Sequence, residues 1–395
     1  MIAINPNNIK IISLSSKERK ALLEHSQIIE KRILEKISNN PSGQFSLLNS
    51  EFEMFLTALR YEAKAQTPKL QKIFTKLYER LNIGFASTPL QKNIHSAVQE
   101  HLQGKDFQNI EQLNAELYTF YSKRNSAPDP EMGNLSPTQV SSLIYTDWDK
   151  ENCPIKFNKN ITPEDLKLSR FFNNTRIFLK TLIELSDEDT ATVTGNLNRK
   201  SVKLLFDKLD IEADSRDDII RYNKVVNEED VFPLHIIKIV CDAAELIHKR
   251  SKRIIFKTNH HNLLADEKAG ELYYLLFNAF FKKFNLGYLD RLPDLTGLQE
   301  TISYSFYRLS TICNEYKKVE ALYHLILLPK VIENIDMIDL PLLYKTIFIE
   351  ARIIKPLEEF GLLECQRTEE NYFSKIKTVK KTGLYDQFMK FRVKR

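Results

Sequence analysis

His260 and His261, followed by Asp266, are the residues of this sequence whose types come closest to a metal-binding cluster. Imidazole and carboxylate groups are ordinary ligands of zinc. Adjacent imidazoles, however, point to opposite sides of a strand and lie about 100° apart around a helix, so they seldom chelate one ion. We therefore expect an exposed turn at this position, and we expect neither a metal nor another cofactor in the protein.

A second possible chemistry is metal-dependent cleavage, which needs carboxylates and a lysine gathered around the reacting group. Asp290, Asp294 and Glu300 lie near Lys282 and Lys283, but the apolar residues around them follow a helical spacing. The sequence also lacks glycine-rich phosphate loops and the HExxH and GxSxG motifs, and it has only 10 glycines in 395 residues. We expect no enzymatic activity, and a hydrolase with an unrecognised site stays as an alternative.

Basic residues cluster in two places. One cluster is Lys249-Arg250-Ser251-Lys252-Arg253 with Lys257, and the other is the segment 352–395, which holds eleven basic and six acidic residues. The whole chain has 57 Lys and Arg against 52 Asp and Glu, so this C-terminal segment accounts for the entire net charge of +5. Basic clusters attract polyanions by releasing their counterions. A solvated surface loop is the alternative for each cluster.

A third basic cluster, the pair Arg199-Lys200, follows the stretch 190–198. That stretch begins with a run rich in β-branched residues, which ends at Thr194-Gly195. That pattern predicts a short extended segment entering a helix. Two cations at a helix start are suited to contacting a phosphate, and they serve equally well in a cap or a salt bridge.

The composition sets limits on the class of protein. A hydrophobic fraction of 43% excludes wholesale disorder. The longest apolar run, Leu272 to Phe281, has ten residues and is far below the ~20 of a membrane span. The N-terminus lacks the pattern of a secretory signal, and the four cysteines lie 52 to 88 residues apart without a CxxC pair. We expect a cytoplasmic protein with reduced thiols and no membrane partner.

Helical spacing of apolar residues dominates the first third of the chain, and we predict a helical bundle over residues 1–125. Ser15 followed by Glu18 predicts a helix start, and a second helix is predicted from Ser50 to Ala65. Residues 126–135, with two prolines and a glycine, predict a linker. We expect a helical domain over 136–335 and a further unit over 336–395.

Two short β-rich runs around a polar turn occur twice, each time after a helix. The first pair is Leu246–His248 with Ile254–Thr258, inside a unit of about 232–265, and the second is Leu362–Cys365 with Phe373–Val379. Each pair predicts a hairpin, and a helix is predicted after each. Helices followed by a hairpin give the order of a winged helix-turn-helix, in which one helix enters the major groove. The sequence therefore predicts a mainly α fold, a helical bundle plus winged helix-turn-helix-like units with short β-hairpins.

The leading hypothesis is a non-enzymatic protein that binds double-stranded DNA. We expect weak sequence specificity, because the helices before the hairpins offer only Arg352 and Lys355 for reading bases. The residues predicted to contact nucleic acid are Arg199, Lys200, Lys249, Arg250, Lys252, Arg253, Lys257, Arg352, Lys355, Lys375, Lys377, Lys380 and Lys381. The alternative is an interaction or scaffold protein whose winged helices dock partner proteins through an exposed apolar patch.

Three segments carry a resemblance to a known group: Thr192–Lys200, Phe232–Leu264, and Phe280–Asn285 with Tyr288–Asp290. They resemble uncharacterised bacterial proteins of the plasmid pRiA4b ORF-3-like and insertion-element-passenger group, over roughly residues 135–309. The resemblance implies a mobile-element or genome-linked context and supplies no catalytic residue. The chain departs from the group at 258–261, where Thr-Asn-His-His stands in place of a Thr-x-x-Gly turn.

Overall fold

The computed structural model describes residues 9–26, 29–40, 43–48, 51–52, 55–56, 58–59, 62, 67–85, 97–290, 297–336, 342–367 and 376–393. Two compact units divide the chain, one with the described residues up to Asn125 and the other with those from Ser126 onward. The described part is mostly helical with small antiparallel sheets, which confirms the predicted mainly α class. None of the helices in these ranges has both the length and the apolarity needed to cross a bilayer.

The N-terminal unit combines helices with a two-stranded sheet. Its elements are β1 (Ile9–Ser13), α1 (Ser16–His25), α2 (Lys31–Ser38), β2 (Gln44–Leu48), α3 (Pro68–Phe85) and α4 (Ile110–Ser126, which ends at the unit boundary). The capping box predicted from Ser15 and Glu18 opens α1. The sheet was not predicted, because β1 finds its antiparallel partner β2 more than thirty residues later. The predicted helix from Ser50 to Ala65 lies partly outside the described residues.

The second unit contains two successive sets of elements. The first set is α5 (Pro137–Tyr145), β3 (Ile155–Phe157), α6 (Arg170–Glu184), α7 (Arg199–Lys208), α8 (Ala213–Tyr222), α9 (Phe232–Ala243), β4 (Ile247–Arg250), β5 (Arg253–Phe256) and α10 (Ala269–Asn278). The second set is α11 (Ile302–Ile312), β6 (Lys317–Lys318), α12 (Val319–Ile326), α13 (Pro329–Asp336), α14 (Leu342–Ile349), α15 (Lys355–Glu359), β7 (Leu363–Arg367), β8 (Ile376–Lys381), α16 (Gly383–Phe388) and β9 (Met389–Phe391). A π-helical turn, Glu350–Ile354, joins α14 to α15, so one helical rod runs over 342–359.

The same order of elements occurs in both sets. A helix (α6 or α11) is followed by a short extended segment, three helices and an antiparallel hairpin (β4–β5 or β7–β8). In the second set the extended segment is β6, and the sheet order is β6-β8-β7. In the first set Ala191 donates its N–H to the carbonyl of Lys252, and Ile254 donates its N–H to Thr190 Oγ1. The repetition predicted at the hairpins thus extends to the elements before them.

An aromatic core holds the second unit together. Trp148 lies 5.7 Å from Phe277, and Phe277 lies 5.3 Å from Phe360 and 5.0 Å from Phe388, measured between ring centroids. The longest apolar run of the sequence, 272–281, is largely buried, and Tyr273 Oη donates to the carbonyl of Phe360. These rings come from both sets of elements, which accordingly share one core.

The division of the second unit differs from the predicted boundaries. Residues 126–135, predicted as a linker, are folded onto it: Asp129 and Leu135 form a bridge, and the Arg308 guanidinium lies where a Cβ on Gly133 would be. The segment 336–395, predicted as a further unit, belongs to the same compact unit as 136–335, since β9 pairs with β3. Strands more than two hundred residues apart cannot be paired from local sequence pattern.

Candidate nucleic-acid interface

The first hairpin has one buried and one exposed face. Strand alternation puts Ile247, Ile254 and Phe256 on the face that is buried against the unit. His248 and Arg250 lie on the opposite face and are exposed, as is Lys252 in the two-residue turn. Three basic or ionisable side chains are therefore presented together to solvent.

Arg250 and Lys252 differ from the surface cations that are held in ion pairs. No carboxylate within ion-pair distance of either is found among the described residues, whereas surface cations such as Lys167 and Lys330 lie against Glu164 and Glu333. An unneutralised cation on an exposed strand is available to an external anion. The positive charges of Arg250 and Lys252 thus face solvent.

The other predicted residues of this hairpin bind the protein itself. Lys249 lies on the inner face, donates to the Val193 carbonyl and covers Gly195 with its side chain. Arg253 Nη1 donates to the Ser186 carbonyl at 3.1 Å. Lys249 is exposed, but its hydrogen bond to the Val193 carbonyl connects the hairpin to the 192–196 loop.

A buried network of charged side chains forms hydrogen bonds with the 192–196 loop and with Leu197, which follows it. Glu228, at 1% exposure, accepts hydrogen bonds from His235 Nδ1 (2.6 Å), from Lys238 Nζ (2.7 Å) and from the Leu197 amide. Lys238 also donates to the Gly195 carbonyl at 3.1 Å, and His235 Nε2 lies 2.8 Å from Tyr288 Oη. Burial alone would raise the pKa of Glu228, but these hydrogen bonds outweigh it and the pKa is lowered.

Sequence reasoning missed this network. A signal was available in part, because His235 and Lys238 are three residues apart and so share one face of α9. Their partner Glu228 comes from an acidic run before the helix, and nothing in that run distinguishes it from Glu229. The network contacts the loop 192–196, which lies beside the hairpin.

Arg199 and Lys200 begin α7, where Asn198 caps the helix by accepting from the Ser201 amide at 2.9 Å. Lys200 pairs with Glu188, and Arg199 Nε lies 3.4 Å from Asn227 Oδ1. Both side chains are exposed. Lys200 is thus partly neutralised, and Arg199 is the better placed of the two for an external anion.

The second sheet presents another set of lysines. Lys377 is exposed on β8, and Lys317 and Lys318 on the paired strand β6 are exposed as well. Lys380 Nζ is 4.0 Å from Glu315, and Lys381 is held by Asp386 (2.8 Å) and by the Ser310 carbonyl.

The two β6 lysines were not among the predicted contacts, because a two-residue strand has no sequence pattern of its own. Lys375 lies outside the described residues. By the strand register, Lys317 and Lys377 share one face of this sheet, and Lys318 lies on the other.

Of the two residues predicted to read bases, Arg352 is buried and Lys355 is exposed. Arg352 is only 2% exposed, and it forms two hydrogen bonds with the Asp290 carboxylate at 2.7 and 2.8 Å. This is a correction to the prediction, because a guanidinium that is buried and paired cannot reach a base edge. Lys355 is exposed and lies 3.1 Å from Glu350. On α9 the exposed residues are Phe232 and Asp242, and neither is basic.

The residues considered for metal or nuclease chemistry are used structurally. His261 stacks on Phe256 at 4.8 Å, and Asp266 pairs with Arg176 at 2.7 Å. Asp290 is the partner of Arg352, and Asp294 lies outside the described residues. In the ranges that the structure describes, no three His, Cys, Asp or Glu side chains are grouped so that they could hold a metal ion.

Comparison of the chain with known protein families gives one match. Residues 167–269 match the family model of the Y4jL N-terminal domain. The match covers about a quarter of the chain; it begins just before α6 and ends at the start of α10, so it contains the elements from α6 to β5. No curated protein and no solved structure matches the chain significantly.

Proposed function

We propose that this chain is a non-enzymatic protein that binds double-stranded DNA, and that its two hairpin-bearing sets are winged-helix units contacting the phosphate backbone. The single observation that carries the proposal is the outward face of the first hairpin, where Arg250 and Lys252 stand exposed without a carboxylate partner in the described part of the chain. Phosphate contacts of this kind supply most of the affinity of non-specific DNA binding.

The repetition of the arrangement supports the same function. Lys317 and Lys377 are exposed on the same face of the second sheet, so each hairpin-bearing set carries exposed cations. The order helix, strand, helices and hairpin is that of winged-helix proteins, in which the hairpin touches the DNA backbone. The plasmid or insertion-element context suggested by sequence resemblance is consistent with a DNA ligand.

Weak sequence specificity follows from what the two helices before the hairpins present. Bases are read by hydrogen-bond donors and acceptors placed in a groove, most often by arginine, lysine, asparagine or glutamine. Arg352 is occupied by Asp290, and α9 exposes only Phe232 and Asp242. Phosphate contacts position a protein on DNA but carry no sequence information themselves.

The test is fluorescence anisotropy with two duplexes of unrelated sequence at about 50 mM salt. We expect the wild type to bind both with similar micromolar affinity, and Arg250→Ala with Lys252→Ala to weaken both about 10-fold or more. The control, Lys167→Ala with Lys330→Ala, removes the same charge from two exposed lysines that are each paired with a glutamate, and should change affinity little. Equal losses in the two variants would show that only net charge matters and would contradict an interface at the hairpin.

A protein-docking role is the second candidate, and one observation favours it. Ile220, Tyr222, Val225 and Phe232 are 58%, 74%, 46% and 41% exposed, and they follow each other along α8 and the start of α9. Exposed apolar residues in a continuous segment are typical of docking sites. This candidate predicts no DNA binding at 50 mM salt, together with retention of a partner protein that Tyr222→Ser and Phe232→Ser release.

A further inference from the structure

A cleft of about 570 Å³ lies within the second unit, between the α6–α9 region and the helical rod 342–359. Apolar side chains make up much of its lining: Phe171, Phe232, Ile236, Ile237, Phe280 and Leu289. Phe232 is 41% exposed, which is unusual for a large apolar residue beside a concave surface. Clefts of this volume between helices are the usual sites for small organic molecules.

The polar lining of the cleft is acidic, in a chain that is basic overall. It contains six carboxylates, those of Asp210, Glu212, Asp218, Asp230, Glu358 and Glu359. Only three cations face them, those of Arg170, Lys355 and Arg367. Because the carboxylates of this lining outnumber its cations, a positive charge inside the cleft would face a net negative surface.

The surplus is concentrated at one end. Arg170 pairs with Glu212 at 3.1 Å and with Glu359 at 3.2 Å. Arg367 binds both oxygens of Glu358 at 2.7 Å and lies 3.8 Å from Glu212. Two guanidinium groups therefore form ion pairs with three carboxylates, and the charge of Asp210 lies near them.

The titration of Glu359 reflects that imbalance. Burial raises the pKa of Glu359 to about 7, and the neighbouring charges of Glu358, Glu212 and Asp210 add to the effect, whereas Arg170 opposes it. Near neutral pH this carboxyl is thus partly protonated, as expected where burial and neighbouring negative charges disfavour its ionised form.

We propose that the cleft is a binding site for a small organic cation with an apolar body, of the aryl-alkylamine or aryl-amidine class. The ring lies against Phe232 and Ile236, and the cationic group lies beside Glu359 and Glu212. An apolar molecule without charge would leave the excess of carboxylates over cations unbalanced, and a cation without an apolar body would leave the aromatic lining uncovered. The site is separate from the basic hairpin faces and does not depend on DNA binding.

Binding of a cation beside Glu359 should be coupled to the release of a proton. A bound cation favours the ionised form of Glu359, so binding releases part of a proton at neutral pH, and affinity rises as the pH increases through about 7. The groups that face Glu359 are Arg170, Asp210, Glu212 and Glu358, with Arg367 beyond them. Glu359 is the group whose raised pKa lies in this range.

The experiment is isothermal titration of the full chain with benzamidine and with 2-phenylethylamine at pH 6, 7 and 8. Benzamide and 2-phenylethanol serve as neutral comparators. We expect dissociation constants below about 1 mM for the cations at pH 8, weaker binding at pH 6, and no measurable binding of the neutral compounds. At pH 7, buffers that differ in ionisation enthalpy should report proton release.

Two variants test the position of the ligand. Glu359→Gln should weaken cation binding at least about 5-fold at pH 8 and abolish both the pH dependence and the proton release, a change close to 1 kcal/mol by the usual conversion. Phe232→Ala should weaken binding at every pH. The matched controls are Glu164→Gln, at 78% exposure, and Tyr145→Ala, at 81% exposure, and each should bind as the wild type does.

Absence of binding by both cations overturns the proposal. Equal binding of the neutral comparators overturns it too, as does binding that Glu359→Gln and Phe232→Ala leave unchanged. Thermal unfolding of each variant before titration separates lost binding from lost folding. The result leaves the DNA proposal untouched, since the titrations contain no DNA and the variants retain Arg250 and Lys252.

Discussion

Glu228 is the residue on which the surface beside the first hairpin depends. Its buried carboxylate accepts hydrogen bonds from α9 and from the 192–196 loop, and Lys249 holds the same loop against the hairpin from the other side. The basic face and the loop are therefore positioned by one buried anion. This arrangement makes the contribution of Glu228 to stability large and dependent on pH.

Replacing Glu228 by glutamine should lower the free energy of unfolding by about 3–5 kcal/mol at pH 7, because Lys238 is left buried without its counterion. The lowered pKa of Glu228 sets the sign of the pH dependence: its stabilisation is present above the ordinary glutamate value and is lost as the pH falls through the lower folded value. Urea unfolding at pH 7 and at pH 4 measures both effects. Glu229→Gln, an exposed neighbour, is the control, and an equal loss in that variant would refute the assignment.

At the scale of elements, the hairpins and helix starts could be read from the sequence. The β4–β5 pair forms where β-branched runs flank a basic turn, and Ser15 and Ser136 open helices through the capping boxes that their spacing indicates. Local pattern was enough there because the interacting residues are within a few positions of each other. The strands β1, β3, β6 and β9 were missed because their partners are distant in the chain.

The candidate site was only half predictable for the same reason. Sequence places Arg250 and Lys252 in a basic turn, and the structure leaves them exposed there. Sequence pattern cannot show that Arg352 is buried in an ion pair, because its partner Asp290 is 62 positions away in the chain. A basic residue in a sequence becomes either a surface contact or a buried ion pair, and tertiary packing decides which.

The Arg352–Asp290 pair fixes the rod 342–359 to the segment around 286–290, since both side chains are at most 4% exposed. Arg352→Met should destabilise the protein by about 3–5 kcal/mol by leaving the aspartate buried and uncompensated. The double variant with Asp290→Asn should cost less than the sum of the two single changes, because the neutral pair leaves no isolated charge. A double-mutant cycle by urea unfolding measures the coupling, and simple additivity would contradict the pairing.

At the scale of the whole molecule, stability should carry two opposite pH dependences. Glu359 has a pKa of about 7, above its ordinary value, so its contribution is fully present below about pH 4.5 and is lost as the pH rises to about 7. Relative to Glu359→Gln, the wild type should therefore melt higher at pH 5 than at pH 8. Melting temperatures across this range check the sign, with Glu164→Gln as the control. A constant difference between wild type and Glu359→Gln would contradict the raised pKa.

The two hairpin-bearing sets share one aromatic core, so their two basic surfaces belong to a single compact unit. A molecule built in this way holds charged sheets in fixed positions and leaves the helices before the hairpins partly buried. On the proposed function, contact with DNA would be made through phosphates, and the number of those contacts would define the interface.

The most direct test of this account is the dependence of DNA affinity on salt. Anisotropy titrations of a random duplex between about 50 and 200 mM salt give the slope of log K against log salt concentration, which is about −0.9 for each phosphate contact. We predict a steep negative slope for the wild type and a slope shallower by about 2 for Arg250→Ala with Lys252→Ala. An unchanged slope in this variant, or no binding by the wild type at the lowest salt, would contradict the account.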